Sequence, residues 1–134
     1  IMESSVQFGW FPCAVVAEAL KTTLSEMELN VQGRGPLGNY LFRIFRDYEY
    51  QDLKAPAASK TIWDLAPFAW LIDAETCNVR TLPRPRLDAE SQWQPQPDGA
   101  AAMEAIRVRR DPVFRDMFEK LAAFSDGKIE PKLG

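Results

Sequence analysis

The sequence predicts an α/β fold that is rich in helices and has few short strands of its own. Short runs of apolar and aromatic residues at 6–11, 79–82 and 105–109 are typical of strands. Apolar residues in a helical period mark the segments between and after these runs. Strands that lie far apart, with helices between them, favour layered α/β packing over a helical bundle. Because so few short strands make a poor sheet, we expect the chain to be the back end of a larger fold.

The first half of the chain contains three predicted helices. Residues 14–20 form a short one, and Ser25 with Glu28 has the spacing of a capping box that opens a second. Pro36 is placed as a first-turn residue of the third and clearest helix. The apolar stripe of that helix consists of Leu37, Tyr40, Leu41, Ile44, Phe45 and Tyr48. Residues 51–59 are predicted to form a loop.

The second half opens with an apolar helix and continues into a long loop. Asp64 in the N-cap position puts Pro67 in the first turn of a helix over 65–72, where the missing N–H costs little. Because this helix is apolar nearly all round, we expect it to be buried. A strand is predicted over 79–82, and the proline-rich residues 83–100 are predicted to form a long surface loop.

The end of the chain is predicted to contain an edge strand and one amphipathic helix. The strand covers 105–109, and Asp111 with Pro112 is expected to cap the helix. The residues expected to face inward on this helix are Val113, Phe114, Met117, Phe118, Leu121 and Ala122. The tail 125–134 is expected to fray. Residues 1–134 are thus interpreted as a single segment.

The composition narrows the classes of function. The 134 residues carry a net charge of −3 and no Lys/Arg block, which argues against a nucleic-acid partner. No apolar run reaches the roughly 18 residues expected of a membrane span, so no membrane partner is expected. Cys13 and Cys77 have neither metal-ligand nor redox spacing and are interpreted as buried thiols of a cytoplasmic protein. The absence of histidine excludes His-dependent nucleophilic catalysis and the common zinc sites.

Asp64 is the only acid in the run 61–72, whose other residues are apolar or neutral. A carboxylate placed among aromatic side chains is costly unless its charge is stabilised. Backbone N–H groups at a helix start and a bound cation are the two usual stabilisers. Asp is a preferred N-cap residue, although Pro67 cannot donate as the third residue of the helix. Both interpretations are compatible, because one oxygen can cap the helix while the other binds a cation.

The run Lys-Thr-Ile-Trp-Asp-Leu-Ala-Pro-Phe-Ala-Trp-Leu-Ile-Asp at 60–73 resembles the C-terminal signature of the inosine-uridine preferring nucleoside hydrolase family. In that family an aromatic residue and an aspartate precede an apolar helix that ends near an acid. The segments 11–28, 36–48 and 110–118 are similar, in order, to the family's segments around this signature. The resemblance implies that the chain is the helix-rich C-terminal portion of a nucleoside hydrolase-like open α/β fold.

The resemblance also implies an activity. It implies calcium-dependent hydrolysis of the N-glycosidic bond of a ribonucleoside or related riboside, giving ribose and free base, with Asp64 as one calcium ligand. Trp63 stands where many members carry a histidine that protonates the leaving base; an indole cannot do this, but it can stack on the base. Tyr50 and Tyr48 fall near the family's mobile loop, and Tyr50 is predicted to bind substrate together with Trp63. Helix-face packing for Tyr48 and a solvent-facing ring for Tyr50 are the alternatives.

Besides Trp63, the sequence departs from the family pattern in two respects. The family's aspartate cluster, D-x-D-x-x-x-D-D after the first strand, and its central asparagine and glutamate segment do not occur in these 134 residues. Calcium binds about 6–8 oxygen ligands, and Asp64 with its neighbours supplies one or two. We therefore assign no catalytic residue and predict that the isolated chain is inactive. The chain is then part of a hydrolase that needs a missing N-terminal portion or forms a homo-oligomer. The alternatives are a non-catalytic binding or interaction module and a standalone helical scaffold.

Overall fold

The structure, a computed structural model, describes residues 4–14, 16–48 and 55–129. Within these ranges the chain is a mixed α/β protein with four α-helices and seven short strands. The α-helices are α1 (Leu24–Asn30), α2 (Gly35–Arg46), α3 (Leu65–Ile72) and α4 (Arg110–Ser125). The strands are β1 (Gly9–Trp10), β2 (Lys21–Thr23), β3 (Ser59–Thr61), β4 (Cys77–Pro83), β5 (Arg86–Leu87), β6 (Trp93–Gln94) and β7 (Ala101–Val108). The α/β class predicted from the sequence is therefore confirmed at this general level.

The largest sheet has three strands in the order β1-β7-β4. Strand β1 runs parallel to β7 and strand β4 runs antiparallel to it, so β7 is central among the described strands. The strand predicted at 105–109 is therefore present as part of β7, but β7 begins earlier, at Ala101, ends at Val108 and is central rather than at the edge. Buried Ala102, Ala105 and Val108 recur every third residue along β7, so its burial does not follow the simple alternation that identifies a strand from sequence.

The N-terminal segment is less regular than predicted. The strand expected over 6–11 is limited to β1, and the helix expected over 14–20 is a 3₁₀ turn at Ala17–Ala19. The chain becomes extended again at once, because β2 pairs antiparallel with β3 from Lys21↔Thr61 to Thr23↔Ser59. The two cysteines also differ: Cys13 is exposed, contrary to the prediction, and Cys77 is buried. Burial raises the pKa of the Cys77 thiol.

Helix α1 begins with a capping box, but at a different pair of residues from the predicted one. The Thr23 hydroxyl accepts a hydrogen bond from the Glu26 N–H at 3.1 Å, and the Glu26 carboxylate accepts one from the Thr23 N–H at 3.0 Å. The predicted pair, Ser25 and Glu28, lies inside the helix. Pairing of Thr23 with β3 keeps its backbone extended, and this fixes the start of the helix one residue later.

Helix α2 has Pro36 in its first turn, as predicted, but its apolar stripe is only partly buried. Phe45 of the stripe is buried, and so is Phe42, which the predicted stripe did not include. Leu37 and Ile44 of the stripe are about half exposed. Gly38 is buried where the first turn of α2 passes the end of α1, and a Cβ there would lie 2.7 Å from the Cβ of Arg34. The stripe is therefore wider than the surface that α1 and α4 cover.

Helix α3 spans 65–72, as predicted, but the expected burial is wrong. Its buried residues are the small Ala66 and Ala69. Phe68 and Leu71 are 61% and 71% exposed. Only the side of α3 that carries the alanines packs against the core, because the described part of the chain places nothing over the opposite side.

The proline-rich segment 83–100 is largely exposed, but it is not a featureless loop. It contains the antiparallel β5–β6 hairpin, and Trp93 of this hairpin packs against Trp10, with ring centres 6.2 Å apart. Arg84, at its start, is 4% exposed. Its guanidinium donates to the carbonyl oxygens of Ser4 and Val6, so it holds the N-terminal segment beside β7.

Helix α4 begins at Arg110 with Arg109 in the N-cap position, so Asp111 and Pro112 lie in its first turn rather than cap it. Its end is fixed by a Schellman motif. Gly127 has φ +68°, and the N–H of Lys128 donates to the carbonyl of Ala123 at 2.9 Å. The helix thus ends in an ordered turn at 126–128, whereas the fraying of the tail 125–134 stays a prediction. Residues 130–134 lie outside the described part.

The buried residues form two clusters that share partly buried Ile62 and Phe118. The first lies between the three-stranded sheet, α3 and the start of α4; it consists of Val16, Leu20, Ala66, Ala69, Cys77, Ala105, Val108, Val113 and Phe114. The second lies between α1, α2 and the end of α4; it consists of Leu24, Met27, Val31, Phe42, Phe45 and Leu121. Among the described helices, none combines the length and apolar character needed to cross a bilayer.

Candidate functional site

Trp63 and Asp64 lie at the corner between β3 and α3. Strand β3 is held by its pairing with β2, and the N–H of Ile62 extends that contact by donating to the Leu20 carbonyl at 3.0 Å. The chain then bends, and the N–H of Leu65 donates to the Ile62 carbonyl at 3.3 Å. This short connection presents two consecutive side chains at the surface, because both Trp63 and Asp64 are exposed.

Asp64 occupies the predicted N-cap position, but its side chain makes no cap hydrogen bond. Its backbone is helical, with φ −85° and ψ 0°, whereas a capping residue is normally extended, as Thr23 is with ψ 163°. Pro67, three residues on, has no N–H to offer. The carboxylate also has no ion pair with a described residue, and its exposure removes the desolvation cost that the sequence had suggested.

The described residues do not by themselves form a calcium site. No group of three or more Asp, Glu, Cys or His side chains in residues 4–14, 16–48 and 55–129 is arranged to hold a metal ion. A calcium ion takes about 6–8 oxygen ligands, whereas one carboxylate supplies one or two. Asp64 can contribute to such a site only if other residues complete it.

Of the two aromatic residues predicted to bind substrate, Trp63 and Tyr50, the structure describes only Trp63. Trp63 is 43% exposed beside Asp64, so much of its indole is available for stacking. Tyr50 lies outside the described residues. Tyr48 lies two residues beyond the end of α2, and the ammonium of Lys60 is 4.5 Å from its ring centre.

A second feature, an apolar groove between helices, was not predicted. We call it the helical groove; its volume is about 700 Å³. Its lining residues come mostly from α1, α2 and α4: Met27, Val31, Leu37, Leu41, Ile44, Phe45, Tyr48, Lys60, Ile62, Met117, Lys120, Leu121, Phe124 and Ile129. The signal in the sequence was the long apolar stripe of α2, which forms one wall of this groove.

The chain was also compared with known proteins. No model of a protein family, no curated protein and no solved structure matches it. A functional assignment therefore depends on the residues and their geometry.

Proposed function

We propose that this chain supplies the C-terminal part of a calcium-dependent nucleoside hydrolase, in which Asp64 is one calcium ligand. The observation that carries the proposal is the state of the Asp64 carboxylate. It stands at a helix start, yet it is exposed and makes neither a cap hydrogen bond nor an ion pair with any described residue. Its oxygens remain available to a cation.

The ordered elements on either side of Asp64 support its role as a metal ligand. The β2–β3 pairing holds the chain before it, and the buried Ala66 and Ala69 hold the helix after it. A metal ligand carried on such elements keeps its position without the cation. A surface aspartate on a mobile loop lacks this support.

The exposure of Trp63 supports a role in stacking on the base of a substrate, but not a role as a proton donor. Its half-exposed indole, next to Asp64 in the chain, offers a flat surface for a purine or pyrimidine ring. It has no titratable proton near neutral pH, so it does not act as the acid for the departing base. We propose that Trp63 binds the base, and the same role for Tyr50 stays a prediction.

The exposed apolar side of α3 supports the need for further protein. Phe68, Leu71 and Ile72 form an unusually exposed apolar group on one helix. We propose that an N-terminal portion or a second copy of the chain covers this side. A cytoplasmic location stays a prediction.

The first experiment tests the chain alone. The purified chain with calcium chloride should release no base from inosine or uridine, followed by ultraviolet absorbance, because a single carboxylate cannot assemble the metal site. Calcium-dependent release of base would show that the site is complete within these residues and overturn the prediction of inactivity.

The second experiment tests the role of Asp64. The DNA immediately upstream should encode, in frame, an aspartate cluster of the form D-x-D-x-x-x-D-D, and the chain that includes it should hydrolyse nucleosides. In that chain D64N should lower kcat/KM by about 100-fold or more, because a calcium ligand is lost. D98N is the matched control, since Asp98 is also exposed and has no hydrogen-bond or ion-pair partner among the described residues. An absent cluster, or a D64N enzyme as active as D98N, favours the non-catalytic binding module instead.

A further inference from the structure

The helical groove has the size and lining of a small-molecule site. Its volume of about 700 Å³ lies within the range of about 300–1,000 Å³ that is usual for ligand pockets. Apolar and aromatic side chains form nearly all of its lining.

The charged groups of the groove have one sign. Lys60 and Lys120 are the charged residues in its lining, and no acidic side chain lines it within the described part of the chain. The Lys60 ammonium lies over the Tyr48 ring and donates to the Thr61 carbonyl at 3.2 Å. An apolar groove with two ammonium groups in its lining is complementary to a ligand that has an apolar tail and a single anionic head.

The pairing of Lys120 does not prevent such an interaction. Its ammonium lies 2.6 Å from the carboxylate of Asp116, one helical turn earlier, and both side chains are about half exposed. Exposed pairs at this spacing contribute little to stability, so a ligand carboxylate can replace Asp116 at small cost.

We propose that the helical groove binds a long-chain fatty acid, with the tail along α2 and α4 and the carboxylate at Lys60 and Lys120. The tail supplies most of the affinity, because each methylene removed from water adds to binding. The two lysines orient the ligand and select a carboxylate over an uncharged head group. This proposal is independent of Asp64 and of nucleoside hydrolysis.

Isothermal titration calorimetry with sodium oleate below its micellar concentration tests the proposal on the full chain. One saturable site per chain is expected. Octanoate should bind at least about tenfold more weakly, since its shorter tail buries less surface, and oleyl alcohol about tenfold more weakly, since it lacks the charge. The absence of saturable oleate binding, or equal binding of all three compounds, overturns the proposal.

Three variants locate the site. I44D places a charge on the α2 wall of the groove at a half-exposed position and should weaken oleate binding by more than about tenfold. K60Q and K120Q should each weaken it by about three- to tenfold. K21Q is the control, because Lys21 also pairs with a nearby acid, Glu18 at 3.3 Å, but lies outside the groove. Unchanged binding by I44D, or an equal loss in K21Q, contradicts the assignment. Circular dichroism checks that each variant is folded.

Two further measurements identify a different occupant. Analytical ultracentrifugation that finds a dimer abolished by I44D, together with absent oleate binding, would make the groove an interface between copies of the chain. Co-sedimentation with phosphatidylglycerol vesicles in the absence of binding to monomeric oleate would make it a membrane-contacting surface. Either result overturns the fatty-acid proposal. Normal oleate binding by D64N would show that the groove binds fatty acid without Asp64. The fatty-acid proposal could then hold even if the hydrolase proposal fails.

Discussion

Two helices of this chain follow the two strands of the same small sheet, but their first turns are built in opposite ways. Helix α1 follows β2 and begins with a complete capping box between Thr23 and Glu26. Helix α3 follows β3, and Asp64, although it is a preferred capping residue, makes no cap hydrogen bond. One acid is used to stabilise the fold, and the other is left available at the surface.

The difference arises from backbone conformation and from neighbours. Glu26 accepts hydrogen bonds from the Thr23 N–H, from the Thr22 hydroxyl at 3.0 Å and from the Arg110 guanidinium at 2.6 Å. Arg110 comes from the start of α4, so this acid joins two helices and a strand. Asp64 has a helical backbone, a proline as its third following residue and no such partner among the described residues. The comparison teaches that residue type identifies a helix start but not whether the side chain is engaged.

Removing the engaged acid should have the largest effect on stability. E26A should lower the free energy of unfolding by about 2 kcal/mol, because it removes the carboxylate that accepts from the Thr23 N–H and from the Arg110 guanidinium. Among the described residues, Arg110 then keeps only Asp111 and the Lys21 carbonyl as hydrogen-bonding partners. Urea denaturation followed by circular dichroism measures the change. E28A, on the same helix but outside this network, should cost much less; an equal loss in both variants would show that the network does not stabilise the fold.

Removing the cap alone should have a smaller effect. T23A should cost about 1 kcal/mol, since the Glu26 N–H loses its acceptor. S25A is the matched control at the residue that the sequence favoured, and it loses only an exposed hydrogen bond to the Pro56 carbonyl. If S25A proves the more destabilising of the two in the same urea experiment, the cap is at Ser25 after all.

The contribution of Glu26 should depend on pH. Partial burial raises the pKa of Glu26, but the hydrogen bonds from Arg110, the Thr23 N–H and the Thr22 hydroxyl outweigh it, so the pKa lies below its ordinary value. A lowered pKa in the folded state adds stability that is present above about pH 4.5 and is lost as the pH falls through the folded pKa. The difference in stability between the wild type and E26Q should therefore shrink on acidification, as measured by urea denaturation at several pH values. A difference that stays constant down to pH 2 would contradict this.

Removing Asp64, the acid that makes no cap hydrogen bond, should have the smallest effect on stability. D64A should change the free energy of unfolding by less than about 0.5 kcal/mol, because no cap hydrogen bond is lost and the side chain is exposed. Thermal denaturation with T23A as the comparison measures it. A loss as large as that of T23A would show that Asp64 caps α3 in solution and would remove the observation on which its proposed calcium role depends.

Several elements could be predicted from the sequence because their signals are local. Pro36 and Pro67 each restrict where a helix can begin, and the start of α2 and the full extent of α3 agree with the prediction. The position of Asp64 at a helix start followed from the same reasoning. The strand over 79–82 was also found, as part of β4.

Other features depended on contacts between distant residues. Both Thr23 with Glu26 and Ser25 with Glu28 fit the capping spacing, and the pairing of β2 with β3 decided between them. The sequence predicts that Arg84 lies in a loop. Its burial depends on the carbonyl groups of Ser4 and Val6, which are nearly eighty residues away in the chain. The exposed stripe of α2, and with it the helical groove, depends on how little of that helix α1 and α4 cover.

The sequence by itself therefore determined the kinds of elements, several of their starting points and the residue types available to a site. These follow from propensity, proline geometry and periodicity, which act within a few residues of each other. Only the tertiary structure decided which side chains are engaged, exposed or buried, since those properties depend on what packs against each element. For Asp64 the sequence located the residue at a helix start, and the structure showed that its carboxylate is exposed and makes no cap hydrogen bond.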